Sequence, residues 1–259
     1  MCTRQRPTIL RRLKDVAVAA LPASLSMPAR YWYRRTLGRL DAELRVATGL
    51  LRPGSTAIDV GANFGIYTYA FVRAGARVEA FEPLPQCRRI LAAYASPRVR
   101  VHNVALSDSP GRLPLHIPVY DGRPEPGHAT FRHVAATHQT VDVPVRTLDE
   151  FQFQNVSLIK VDVEGHELDV LRGGSATLLR ERPILVLEIY QEFLAYPIDQ
   201  AFATLAEWGY QGYFIDGGRI RGVSRAGVPL NTAAVHNFLF VHELDDRGRA
   251  NLNVPSRGV

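Results

Sequence analysis

At 259 residues, 46% hydrophobic and 22% charged, the chain is long enough to bury one substantial core and too apolar to be disordered as a whole. Its two cysteines, Cys2 and Cys87, form no Cys-x-x-Cys pair, so nothing points to a disulfide framework or a structural zinc site, and a reducing cytoplasm fits. The net charge of +6 is concentrated at the start, because residues 1–52 hold eleven Lys or Arg against three Asp or Glu and the remainder therefore carries −2.

Residues 1–50 read as a basic helical arm packing on the core. Arg4, Arg6, Arg11, Arg12 and Lys14 precede the apolar run from Val16 to Leu25. That run is short, follows Asp15 and is interrupted by Pro22, so neither a cleaved signal nor a membrane span of about 18 apolar residues is expected. The arm's alternative role is peripheral contact with acidic phospholipid headgroups, in which case residues 1–35 lie outside the catalytic core and a protein starting near Thr36 keeps its cofactor site. Nucleic acid is not an expected partner, since basic and aromatic residues interleave only in Tyr31-Trp32-Tyr33-Arg34-Arg35. Leu37, Leu40, Leu44, Ala47, Leu50 and Leu51 have the spacing of a helix that stops before Pro53-Gly54.

From Thr56, β-rich runs alternate with helical ones: strand Thr56 to Val60, helix Gly65 to Arg73, strand Arg77 to Phe81, helix Pro85 to Tyr94 and strand Val99 to Asn103. The alternation predicts right-handed crossovers and a parallel sheet with helices on both faces. Residues 107–155 break the pattern with six prolines and two short candidate strands, Leu113 to Ile117 and Thr140 to Val145, and read as an insertion. Between them, Tyr120 to Gly127 is turn chemistry. The alternation resumes with strand Ser157 to Asp162, helix Glu167 to Leu179, strand Ile184 to Ile189, helix Ile198 to Trp208 and strands near Tyr213 to Ile215 and Phe238 to Val241. Residues 51–245 thus form one α/β domain with a seven-stranded, mostly parallel sheet, and residues 246–259 a tail.

The first strand ends in Asp59-Val60-Gly61-Ala62-Asn63-Phe64-Gly65, and Glu82 closes the second, twenty-one residues after Gly61. A glycine turn lets a ligand approach the backbone, and a carboxylate at the next strand end accepts hydrogen bonds from ribose hydroxyls. A dinucleotide fingerprint requires Gly-x-Gly-x-x-Gly. Asn63 replaces its middle glycine, Ile66 its third, and Asp59 adds negative charge where a pyrophosphate would bind. S-Adenosylmethionine suits the turn better, having no phosphate and carrying an ammonium and a sulfonium.

The run Ile58 to Gly65, the corner Phe81-Glu82-Pro83, Ala105-Leu106-Ser107-Asp108, Arg146-Thr147-Leu148-Asp149, the run Ile159 to Glu167 with Leu171 and Gly173, and Leu187-Glu188 together resemble the FkbM family of S-adenosylmethionine-dependent methyltransferases, over about Leu51 to Tyr190. The resemblance implies a Rossmann-like class I methyltransferase fold whose last two strands pair antiparallel. It also implies O-methylation of a hydroxyl on a sugar, glycolipid or secondary metabolite. An NAD-dependent oxidoreductase on a related fold, and a non-catalytic cofactor-binding protein tethered by its arm, are the competing readings.

Ligands of open α/β sheets bind beyond the carboxyl ends of the strands, which assigns the candidate residues. Asp59 and the turn Gly61, Ala62, Asn63, Phe64 and Gly65 take the methionine half of the cofactor, with Asp162 beside them, and Glu82 the ribose. Asn103, Ala105 and Ser107 surround the adenine, with Ser107 or Asp108 pairing with its amine. Lys160, one of two lysines in the chain against 29 arginines, shares one side of its strand end with Asp162 and Glu164. With His166 and Glu188 they are the candidate catalytic set, His166, Asp162 and Glu164 as bases and Glu188 as a hydrogen-bond partner of the acceptor. Asp162, Glu164 and Glu167 offer an alternative oxygen set for Mg2+, which is not favoured. His116, His128, His133 and His138 fall in the insertion with no metal-ligand spacing; their alternative use is a lid over the acceptor.

Overall fold

The computed structural model describes residues 21–132, 137–194, 196–216, 219–223 and 235–242. The basic residues 4–14 proposed for headgroup contact, His133 and the expected tail lie outside these. Two helices, α1 (Ala23–Thr36) and α2 (Ala42–Leu50), lead into β1 (Thr56–Val60), α3 (Ile66–Arg73), β2 (Arg77–Phe81), α4 (Pro85–Ala93) and β3 (Val99–His102). The chain then forms β4 (Ala105–Leu106), β5 (Gly111–Tyr120), β6 (Arg123–Pro124) and β7 (His138–Arg146). It continues as β8 (Val156–Val161), α5 (Glu167–Gly173), α6 (Ser175–Glu181), β9 (Ile184–Glu188), α7 (Ile198–Glu207), β10 (Gln211–Asp216), β11 (Arg219–Gly222) and β12 (Asn237–Val241).

The main sheet has the order β3-β2-β1-β8-β9-β12-β10-β11. From β3 to β9 all pairs are parallel, and β12 runs antiparallel between β9 and β10. This is the mostly parallel sheet that the resemblance implied, with one addition: β11 extends the β10 edge as an eighth, antiparallel strand, where seven were expected. After β1 the chain builds outward through β2 and β3, then returns to place β8 on the other side of β1. The crevice at the carboxyl ends of β1 and β8 is thus the topological switch point, where such sheets bind ligands. The insertion makes a second sheet, β4-β7-β5-β6, in which β4 pairs parallel to β7 and the long β5 and β7 form an antiparallel pair.

Period-two alternation divides the core between the two faces. Ile58 and Val60 of β1 and Ile159 and Val161 of β8 pack with Leu171, Leu178, Phe202 and Leu205 of the helices on one side. Ala57 and Leu158 face Met27, Leu44, Phe71 and Leu91 on the other. Every residue of β8 is buried, as both-face coverage of a central parallel strand requires. The helix expected from Glu167 to Leu179 is broken at Gly174. The break arises because Asp149, far away in sequence, caps a new helix start: its carboxylate accepts the N–H groups of Ala176 (3.0 Å) and Thr177 (2.8 Å).

Of residues 1–35, expected to lie outside the catalytic core, the described part from 23 to 35 packs on it. Met27 is fully buried, Tyr31 nearly so, and the Tyr31 ring packs 5.2 Å from that of Tyr69 in α3. The apolar face of α1 is therefore a wall of the core, and Met27→Ala is expected to cost about 2–5 kcal/mol in urea denaturation. A cost within error of zero would return α1 to the status of a detachable arm.

Candidate active site

Three residues of the β1–α3 turn have left-handed backbone: Gly61 (φ 74°), Asn63 (φ 49°) and Gly65 (φ 77°). The N–H groups of Gly61 and Ala62 both donate to the Phe81 carbonyl at 3.1 Å, which binds the turn to the end of β2. Glu82, just beyond β2, accepts the N–H of Asn63 on Oε2 and the N–H of Leu84 on Oε1, each at 2.8 Å. Burial pushes its pKa up to about 7, against the lowering effect of those two hydrogen bonds. The Asn63 side chain accepts the Cys87 thiol at 3.6 Å.

Two adjoining cavities open from this turn. The first is walled by Phe81, Glu82 and Leu84 after β2, by Ala105 and Leu106 of β4, and by Pro126, Gly127, Ala129 and Phe131 of the insertion. The second, of about 240 Å³, is bordered by the turn itself, Tyr67, Lys160, Asp162, Glu164, Glu188 and Tyr190, and by Arg30, Arg34 and Asp41. Gly61, Asn63, Asp162 and Glu164 line both.

Lys160 is almost fully buried, with Nζ 2.7 Å from Asp162 Oδ2 and 4.6 Å from the centre of the Tyr67 ring. Burial opposes its charge, but the carboxylates of Asp162, Asp59 and Glu188 outweigh that and raise its pKa. Glu188 accepts the Tyr190 hydroxyl at 2.8 Å. Burial first, and the charge of Asp162 second, push Glu188 up to about 7. The Tyr190 ring is stacked 4.0 Å from His236, next to β12, and Tyr67 donates to Asp41 at 3.1 Å.

Lys160, Asp162, Glu164 and Glu188 are thus brought together, as are Gly61, Ala62, Asn63, Phe64, Glu82 and Ala105 around the cavities. Besides Gly65, four other assigned residues line neither cavity. Asp59 is fully buried behind the turn, lines neither cavity, and accepts the Thr68 hydroxyl at 2.6 Å; it braces α3. Asn103 is exposed and lines neither cavity, because the chain leaves β3 at His102 and the wall resumes at Ala105 and Leu106. Ser107 is buried, with Oγ 2.8 Å from His166 Nε2, and the adjacent Asp108 is exposed; neither lines a cavity.

His166 is the fourth. Both of its ring nitrogens are engaged, Nε2 with Ser107 and Nδ1 with Asp169 at 2.9 Å, and it lines neither cavity. Asp169 is held low by the hydrogen bond from His166 and is also approached by Arg132 at 3.5 Å. The order Ser-His-Asp imitates a hydrolase triad, but Ser107 is buried and lines neither of these cavities, so the relay serves to join β4, α5 and the insertion. Glu167 is likewise absorbed into the loop, where Oε1 accepts the Gly165 N–H at 3.0 Å. Among the described residues no three His, Cys, Asp or Glu side chains come together as a metal-ligand set.

Sequence reasoning missed Arg30, Arg34, Asp41, Tyr67 and Tyr190. Two signals were present: Arg30 and Arg34 are one helical turn apart, and Tyr190 follows Glu188 by two. The segment from Tyr120 to Gly127, read as turn chemistry, leads into a closing strap. Gly127 lies so near Asn63 that an added Cβ would be 3.0 Å from its side-chain nitrogen Nδ2, and Thr130 donates to the Glu164 carbonyl at 2.6 Å. Of the insertion histidines, His128 lines the second cavity, whereas His116 and His138 lie against each other with ring centres 4.8 Å apart.

Among curated proteins, the chain is 27% identical over 168 residues to 2-O-methyltransferase NoeI of Sinorhizobium fredii, covering 58% of this chain and 69% of that one. It is 29% identical over 145 residues to Methyltransferase 1 of Beauveria bassiana, covering 46% and 58%. The solved structure of Methyltransferase FkbM from Methylobacillus flagellatus matches with 17% identity and a TM-score of 0.49 over 90% of this chain and 59% of that one. A sequence profile described as Methyltransferase FkbM domain matches residues 59–211. That match runs from Asp59 through the glycine turn and the β8 cluster to the start of β10, more than half of the chain, and the chain therefore belongs to the FkbM methyltransferase family.

Proposed function

We propose that the chain transfers the methyl group of S-adenosylmethionine to a hydroxyl of a sugar, glycolipid or secondary metabolite. Family membership implies this cofactor and removes the oxidoreductase reading. The residues fit it. Each Glu82 oxygen is used by a single N–H and can accept a second hydrogen bond, from a ribose hydroxyl, because a carboxylate oxygen has two lone-pair sites. The small Ala105 and the apolar Leu106, Leu84 and Phe131 suit an adenine ring. Four carboxylates around the second cavity suit an ammonium and a sulfonium and repel a pyrophosphate. Oxygen as the acceptor atom is supported by the relative named a 2-O-methyltransferase.

When bound, the sulfonium supplies an electrophilic methyl group; the protein must orient an acceptor oxygen toward it and remove a proton. The observation that carries the proposal is Glu188, a half-buried carboxylate at the second cavity whose pKa, pushed up to about 7, matches the operating range of a general base. Glu188 takes the hydroxyl proton as the oxygen becomes methylated. Tyr190 orients the Glu188 carboxylate, and the Lys160–Asp162 pair, braced by Tyr67, fixes the facing wall. The apolar strap over the first cavity excludes water from the cofactor.

Incubation with methyl-labelled cofactor and a panel of sugars, glycolipids and hydroxylated metabolites tests the proposal. An alkali-stable methyl ether is the expected product; label released as methanol, or found on nitrogen, would sink the hydroxyl reading. Glu82→Ala is expected to weaken S-adenosylmethionine binding by roughly 1–3 kcal/mol in calorimetry, since the ribose loses a charged acceptor. An unchanged Kd removes the ribose assignment.

A further inference from the structure

The second cavity is lined by four carboxylates, Asp41, Asp162, Glu164 and Glu188, and by three cations, Arg30, Arg34 and Lys160. Lys160 is committed, 2.7 Å from Asp162 and beside Asp59 in the register of β1 and β8. Arg30 and Arg34 stand one helical turn apart on α1 and so share a face. That face is fixed to the cofactor turn: the Arg30 guanidinium lies 4.2 Å over the Phe64 ring and its Nε donates to Ser26 Oγ at 3.2 Å. Arg34 is half-buried, and among the described residues it makes no ion pair, although it borders a cavity lined with carboxylates.

The methionine end of the cofactor carries an ammonium and a carboxylate on one carbon. Its ammonium is served by the acidic wall, but the same wall repels its carboxylate, which needs a cation not already engaged by Asp162. We infer that Arg34, with Arg30 beside it, receives the carboxylate of the methionine end, so that α1 supplies half of the cofactor's amino-acid site; the inference rests on the S-adenosylmethionine reading above. A guanidinium fork matches a carboxylate in shape as well as charge. The stack on Phe64 ties the arginine pair to the same turn that carries Gly61 and Asn63. The basic excess of α1 thus acts at the site.

Two ligands separate this role from a structural one. S-Adenosylhomocysteine keeps the amino-acid end, whereas 5′-methylthioadenosine has the same nucleoside thioether without it. In calorimetry on the full-length protein, Arg34→Gln is expected to weaken S-adenosylhomocysteine about tenfold or more while changing 5′-methylthioadenosine less than about twofold, as loss of one charge-assisted hydrogen-bond pair predicts. Arg34→Lys, which keeps the charge without the fork, is expected to fall between Arg34→Gln and wild type. Equal weakening of both ligands would make Arg34 a structural residue and overturn the inference. Unchanged S-adenosylhomocysteine affinity would also overturn it and leave Arg34 to an anionic acceptor. If the wild-type protein binds neither ligand, the cofactor reading itself fails and this inference falls with it.

Discussion

Glu188→Gln is expected to lower kcat by roughly 10²- to 10⁴-fold, the usual worth of a general base, with little change in cofactor affinity. Glutamine keeps the size of the side chain and can still accept the Tyr190 hydroxyl, but it takes no proton. The pH dependence gives an independent check. The ionised carboxylate is the active form, and burial together with the charge of Asp162 pushes its pKa up to about 7. The wild-type rate should therefore rise with pH and level off above about 7, falling about tenfold per pH unit on the acid side. The residual rate of Glu188→Gln should lack that acid limb. If the variant keeps full activity, or loses activity but keeps the limb, the proton goes elsewhere, and Asp162 is the next side chain to replace. His166 is not that alternative, since Ser107 and Asp169 occupy both of its nitrogens.

The strands nearest the site were legible because their signals are local. Alternation and the flanking turn residues mark β1 and β2 to the residue and β3, β8 and β9 to within one. The same alternation placed Lys160, Asp162 and Glu164 on one side of the strand end, and Lys160 pairs there with Asp162, the residue directly after β8. His166, assigned as a base for its titration range and not by alternation, comes after the strand. Glu164 and Gly165 have left-handed backbone (φ 51° and 98°), so the chain reverses and carries the imidazole away from the cavity. Gly165 lies against the Phe193 carbonyl, which an added Cβ would approach to 2.5 Å, a contact that no local pattern announces. The break at Gly174 depends on Asp149, and the burial of α1 depends on α3 and α4; both are decisions of tertiary packing. Asp59 illustrates a different limit. Its position before the glycine turn was readable, but whether it faces the ligand or the helix behind depends on which side of β1 points toward α3.

Gly61→Ala is expected to be the most damaging single substitution in the cofactor turn. The residue has φ 74°, and a Cβ there would lie 2.0 Å from the Asp162 carbonyl oxygen and 3.0 Å from its carbon. Neither side can retreat. The Gly61 N–H is held by the Phe81 carbonyl at 3.1 Å, and the Asp162 N–H by the Val60 carbonyl at 3.1 Å, so relief of the clash requires the switch point between β1 and β8 to spread. Left-handed strain and overpacking together amount to roughly 2–5 kcal/mol, measurable by denaturation, and the displaced turn should also lose its hold on the cofactor. Gly65→Ala provides the comparison, with nearly the same φ of 77° but contacts at 2.8 Å with the Leu91 and Met27 side chains, not with backbone. Flexible side chains can yield, so Gly65→Ala should cost clearly less stability than Gly61→Ala. Equal losses would mean that backbone strain alone governs both positions and that the close approach of β1 to the end of β8 does not shape the site. A Gly61→Ala protein with normal stability and normal S-adenosylhomocysteine affinity would show that the turn does not sit against Asp162 at all.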